Sequence, residues 1–307
     1  MAVVIELPDV LVLGAGGTVG EAWMRGVLSG IESASGIDFR ACEYIVGTSA
    51  GSLIAAALIA GRRPEAGDRA AREWADEATE AEPDRDLAAS LRALGAELAR
   101  TAGRLGATAA SPLAPLALAG LEPAGRAVRA AALAAGPRPR RRLEEVGRHV
   151  ESLGAEFDGR LRIAAVDRRR GSRVLFGAPG APPASVRDAV LASCAIPWVF
   201  APVQIGGREY VDGGVWSPAN LDAAPGGRGA RVLCLAPTAG AGPLRAATSA
   251  ALVAEEMAVK ARGMRARVIT PDAASAAAMG PDLMDGGRVE AVLDAAFAQG
   301  RARGLSK

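Results

Sequence analysis

Residues 44–61 constrain the fold more than any other stretch of this chain. Tyr44-Ile45-Val46 is a β-branched, strand-forming run, Gly47-Thr48-Ser49-Ala50-Gly51 is a Gly-x-Ser-x-Gly turn, and Ser52 to Ala60 is apolar and rich in alanine, as a buried helix would be. A strand that reverses into a helix within five residues needs glycine on both sides of the bend, because a Cβ there would strike the neighbouring backbone. The serine between them is then left at the tip of the strand, above a helix N-terminus. Ser49 is therefore a candidate nucleophile, with Gly47 and Gly51 as the elbow that presents it. The pentapeptide alone is weak in a chain with 38 glycines, and the strand before it and helix after it are what give it meaning. The competing reading is a glycine-rich turn in an ordinary α/β core.

A serine nucleophile needs a proton acceptor. The single histidine, His149, lies in the charged stretch Gly147-Arg148-His149-Val150-Glu151, which reads as an exposed helix and suits a Ser-His-Asp triad poorly. A carboxylate at a tight turn is the alternative base. Two Asp-Gly-Gly tripeptides exist, at Asp212 and Asp285. Asp212 follows the strand-like Arg208-Glu209-Tyr210-Val211, which puts its carboxylate at a strand end where two residues without Cβ allow another loop to come close. Asp285 precedes the last predicted helix, over 289–301, and reads as a turn or helix-entry residue.

Nearer the start, the apolar run Val10-Leu11-Val12-Leu13 leads into Gly14-Ala15-Gly16-Gly17-Thr18-Val19-Gly20 and then a helical pattern over 21–31. Unpaired amides at a helix N-terminus can hold an anion. A dinucleotide fingerprint counted from Gly14 would need glycine at 19, which is Val19, and a phosphate-binding P-loop would need a lysine that the loop lacks. An oxyanion hole formed by the Gly14, Ala15, Gly16 and Gly17 loop is the remaining functional reading, beside a glycine turn without chemistry.

Glycine loop, Gly-x-Ser-x-Gly and Asp-Gly-Gly, in that order, resemble the patatin-like phospholipase family. The block Ala192-Ser193-Cys194-Ala195-Ile196-Pro197 is similar to that family's Ala-Ser-x-Ala-x-Pro sequence ahead of the aspartate. The resemblance implies an α/β lipid acyl hydrolase with a Ser-Asp dyad: Ser49 as nucleophile, Asp212 as base, and the Gly14–Gly17 loop as oxyanion hole, with the Gly16 and Gly17 amides holding the developing charge. One departure is Val19, where many bacterial members carry a basic residue, and Arg25 further along is the nearest cation that could compensate. A non-catalytic lipid-binding or scaffold protein of the same fold, and a thioesterase or peptidase, are the other classes left open.

The remaining pattern predicts a mainly parallel sheet flanked by helices: strands over 161–166, 173–176, 231–235 and 267–270, helices over 185–193 and 246–260. Residues 62–159 break this alternation with charged, alanine-rich helical stretches over 65–82 and 86–104 and an Ala/Leu/Pro-rich run over 107–135. They read as a helical cap or lid inserted in one patatin-like domain spanning 1–307. With 36 basic against 34 acidic residues, nothing suggests a nucleic-acid partner. The basic run Pro137-Arg138-Pro139-Arg140-Arg141-Arg142 reads as a solvated linker or an anionic-lipid contact. Cys42, Cys194 and Cys234 are widely spaced, with no metal-ligand pattern, so no metal or cofactor is expected. A reducing, cytoplasmic location fits these thiols and an N-terminus without a signal-peptide pattern. The expected partner is a lipid or other acyl ester, with peripheral membrane contact as a second expectation, and the oligomeric state is unknown. Three uncharged stretches approach spanning length, but glycine or proline breaks each one, which favours core or interfacial packing.

Overall fold

Val10–Leu13 contains no polar position, so it can be accommodated only where both of its faces are covered. In the computed structural model, which describes residues 6–64, 124–135, 138–240 and 245–304, this run is strand β1 and is wholly buried. In chain order there follow α1 (Gly17–Ser35), β2 (Tyr44–Thr48), α2 (Ala50–Ile59), α3 (Ala124–Ala135), α4 (Glu144–Leu153), β3 (Leu161–Asp167), β4 (Ser172–Phe176) and α5 (Val186–Cys194). Then come β5 (Val203–Ile205), β6 (Arg208–Asp212), β7 (Arg231–Leu235), α6 (Arg245–Ala261), β8 (Arg265–Ile269), α7 (Ala273–Met279) and α8 (Val289–Gly304). Among the described residues all eight strands form one sheet. β3, β2, β1, β7 and β8 run parallel in that order, and β4, β5 and β6 are antiparallel additions around β3. The fold is thus the mixed, mainly parallel α/β sheet that the alternation of strands and helices predicts.

The register of β3 positions the site. Residues 163–164 pair with both β2 and β4, and residues 165–167 pair with both β4 and β6. A strand has two edges, so β4 takes one, and β2 and β6 share the other. They meet there head-on: Thr48 ends β2 opposite Ala164, and Asp212 ends β6 opposite Ala165.

Alternation along the strands divides the core. Leu11, Leu13, Ile45, Ile163 and Tyr210 face the larger apolar cluster with α1, α2, α4, α5 and α8. Val10, Val12, Val46, Val232 and Cys234 face a second cluster with α6. α1 and α8 approach backbone to backbone, since a Cβ at Gly30 would stand 2.3 Å from the Phe297 carbonyl and one at Gly300 2.2 Å from that of Val27. The predicted boundaries hold to within a few residues, except that α1 begins four residues early, at Gly17, and ends four late, at Ser35. The predicted helices over 65–82 and 86–104, and most of the run over 107–135, lie outside the described residues; α3 and α4 are the described helices of the predicted insertion. Among the described residues no helix is long and apolar enough to cross a membrane.

Candidate active site

Ser49 has φ 51° and ψ −124°, a backbone conformation that side-chain-bearing residues rarely hold. Two glycines make it possible. A Cβ at Gly47 would lie 2.6 Å from Ser52 Cα, and one at Gly51 2.2 Å from the Leu13 carbonyl oxygen and 2.8 Å from that of Gly14. The second contact also places the first turn of α2 directly against the glycine loop. Ser52 closes the bend, its amide and hydroxyl donating to the Ser49 carbonyl at 2.7 and 2.6 Å. Ser49 itself is 7% exposed.

Asp212 meets the elbow from the opposite direction. Its amide donates to the Ala195 carbonyl at 2.9 Å, and its Oδ1 accepts from the Gly214 amide at 2.7 Å. A Cβ at Gly213 would lie 2.4 Å from the Ala164 carbonyl, so the chain can leave the strand here only as glycine. Burial pushes the Asp212 carboxyl up to about 7, and the Gly214 amide and then the Ser49 side chain pull it back only in part. The sheet therefore brings the two residues together around a carboxylate poised near neutrality.

Within the loop, Gly14 donates its amide to the Leu235 carbonyl at 3.0 Å and Ala15 to that of Pro218 at 2.7 Å. These bonds fix the loop and take up the amides of Gly14 and Ala15, leaving those of the other two loop residues. The amides of Gly16 and Gly17 have no acceptor among the described residues. They open α1, where the helix dipole adds partial positive charge. Gly17, at φ 59°, would place a Cβ 2.6 Å from the Leu283 carbonyl. Val19 is a buried core residue, and Arg25 is buried against Glu21, Nε to Oε1 at 2.9 Å. Arg25 is thus engaged inside the protein rather than standing in for a basic residue at Val19.

His149 sits on α4, and no hydrogen bond joins it to Ser49 or Asp212 among the described residues. Asp285 caps a 3-10 turn through the Gly287 amide and holds Arg288 at 2.9 Å, a structural role. Cys42, Cys194 and Cys234 are free, buried thiols.

Two residues at the site were not among the candidate residues read from the sequence. Ser193, 0% exposed, accepts from the Ser49 amide at 2.8 Å and donates to the Ala164 carbonyl at 2.6 Å. The segment 193–195 therefore holds both partners, Ser49 through Ser193 and Asp212 through Ala195. Asn220, also 0% exposed, donates from Nδ2 to Thr48 Oγ1 at 3.2 Å and to the Gly213 carbonyl at 3.3 Å, tying together the residues beside Ser49 and Asp212. The Ala-Ser-x-Ala-x-Pro block was the available pointer to Ser193; nothing marked Asn220.

Comparison with known proteins adds a family. The family model described as Patatin-like phospholipase matches residues 11–225. Among solved structures, VipD from Legionella pneumophila aligns at 13% identity over 95% of this chain and 68% of its own, with a TM-score of 0.36. The type III effector protein ExoU aligns at 19% identity over 99% of this chain and 55% of its own, with a TM-score of 0.36, so the chain spans about half of that protein. No curated protein matches. It is the family model, over most of the chain, that carries the assignment.

Proposed function

Because the chain belongs to the patatin-like phospholipase family, we propose that it is a serine acyl hydrolase that cleaves the carboxylic esters of lipids, of phospholipase A or lysophospholipase type, through a Ser49–Asp212 dyad. The observation that carries this reading is the head-on meeting of β2 and β6 on one edge of β3, which sets Ser49 beside a buried carboxylate of raised pKa.

In this mechanism Ser49 Oγ attacks the ester carbonyl carbon and its proton passes to Asp212. The negative charge that develops on the carbonyl oxygen is held by the Gly16 and Gly17 amides, the two in the loop with no acceptor among the described residues. The tetrahedral intermediate collapses, Asp212 returns the proton to the leaving alkoxide, and the acyl group stays on Ser49. Water then attacks the acyl carbon while Asp212 takes its proton, and the collapse of the second intermediate returns that proton to Ser49 and frees the acid. Asp212 acts as base in both attacks and, protonated, as acid in both collapses, and burial supplies the basicity that a solvated aspartate lacks. The whole chain is read as one acyl hydrolase domain with a helical cap or lid over 62–159, acting in a reducing compartment that suits its three free thiols.

The test is a fluorophosphonate probe, which bonds only to an activated serine. It should label the wild-type protein at Ser49, and Ser49→Ala should abolish labelling without loss of the fold. Undiminished labelling of that variant would remove Ser49 as nucleophile. A screen of acyl esters, phospholipids, thioesters and a peptide, with Ser49→Ala beside it, separates the lipid hydrolase from a thioesterase, a peptidase or a non-catalytic binder.

A further inference from the structure

The sheet does not stop at the dyad. β2 ends at Thr48, but β3 continues to Asp167 with β4 on one edge and β6, then β5, on the other. Arg208 lies four steps along β6 from Asp212. β6 therefore overhangs the Asp212 level by about 13 Å, and β3 by about 7 Å past Ala165, at ~3.3 Å per residue. The rim of this overhang is arginine. The turn after β3 supplies Arg168, Arg169 and Arg170, and β6 opens with Arg208. A third segment comes alongside: the Arg141 carbonyl accepts from the Ala201 amide at 2.7 Å, and the Arg138 guanidinium stands 3.8 Å from Glu209, with Arg140 between them in sequence.

Two carboxylates lie among these arginines, and both are occupied. Glu209 is held by Arg168 at 3.0 Å, and Asp167 accepts the amides of Arg169 and Arg170 at 3.0 and 2.9 Å. Among the described residues no ion pair engages Arg140, Arg169 or Arg170, and all three side chains are exposed. In a chain with 36 basic and 34 acidic residues, this concentrates positive charge at the end of the sheet that carries the dyad. Trp198 and Trp216 pack half-buried against Val166 and Val211 of the same strands, with Arg129 over the Trp216 ring at 4.0 Å.

We propose that this overhang docks the protein on an anionic phospholipid surface and so brings the Ser49–Asp212 end of the sheet to the bilayer. The inference deepens the lipid hydrolase reading and rests on it for its purpose, but the docking itself needs no turnover. Each arginine near an anionic surface is worth roughly a fivefold gain in partitioning. That attraction decays over a Debye length of about 8 Å at physiological salt.

The experiment is co-sedimentation of the full chain with vesicles of phosphatidylcholine alone or of phosphatidylcholine mixed with phosphatidylserine. Binding is expected to the mixed vesicles, weakly or not at all to phosphatidylcholine, and to fall at high salt. The triple variant Arg140→Gln, Arg169→Gln, Arg170→Gln should bind the mixed vesicles roughly a hundredfold less well. Its hydrolysis of a water-soluble short-chain ester should match wild type. Ser49→Ala should still sediment, which keeps docking and catalysis separable. Equal binding to both vesicle types, undiminished binding of the triple variant, or tighter binding to a DNA duplex than to the mixed vesicles at the same salt would each overturn the proposal.

Discussion

A carboxylate at its ordinary pKa, near 3.9, is a weak base toward a serine hydroxyl at neutral pH, so the proposed chemistry depends on what raises Asp212. Burial does so, to about 7. Because the proposed mechanism needs the ionised form, kcat/KM on a soluble ester should climb about tenfold per pH unit toward a plateau above about 7. An acid limb near pH 4 would contradict that base. Asp212→Asn keeps the side-chain shape but cannot accept the proton, and turnover should drop about a hundredfold or more, whereas His149→Ala should leave it nearly unchanged. A crippled His149→Ala beside an active Asp212→Asn would replace the dyad with a histidine mechanism. Ser193 acts one step removed. Ser193→Ala strands the Ser49 amide and the Ala164 carbonyl, costing about 1–3 kcal/mol of stability. Misplacing Ser49 by about 1 Å could cost on the order of a hundredfold in turnover, so kcat and the rate of fluorophosphonate labelling should fall while KM changes little.

The elbow works as an element only because α2 starts in contact with the glycine loop. At Gly51 a Cβ would fall 2.2 Å from the Leu13 carbonyl, so Gly51→Ala must push α2 away from the loop that carries Gly16 and Gly17. A destabilisation of about 3 kcal/mol is expected, with loss of probe labelling. Gly61, just past the other end of α2, has φ 80°, but a Cβ there would meet only open space, so Gly61→Ala should cost only the left-handed penalty of about 1–2 kcal/mol and keep full labelling. Thermal melts of the two variants separate close packing from backbone strain. If both behaved alike, the contact between α2 and the loop would not be what holds the elbow.

At the scale of the molecule, two buried carboxylates on opposite faces of the sheet couple protonation to stability. Asp212 and Glu255, the latter bonded to the Leu221 amide, are both raised, with burial as the leading cause. A raised folded pKa means the native state holds its proton more tightly than the unfolded chain does. The stability from Asp212 is thus complete below about 4 and is lost as pH rises to about 7. Asp212→Asn should therefore gain on wild type in melting temperature between pH 5 and pH 8, and an unchanged difference would refute the burial account. Much of this molecule was legible in one dimension. The elbow glycines, the all-apolar β1 and the Asp-Gly-Gly corner each announce themselves, because a backbone that must bend sharply or lie wholly buried tolerates few residue types. Those local demands determined the α/β class, the candidate serine and the candidate aspartate. The tertiary structure decided what depends on register and on competition for hydrogen bonds. β2 and β6 end on adjacent residues of one edge of β3, Gly14 and Ala15 give their amides to distant carbonyls, Ser193 and Asn220 fasten the two corners, and three separate arginine segments converge on one rim. Each of these joins residues far apart in the chain, and such pairings are set by how the strands stack rather than by the preferences of any one segment.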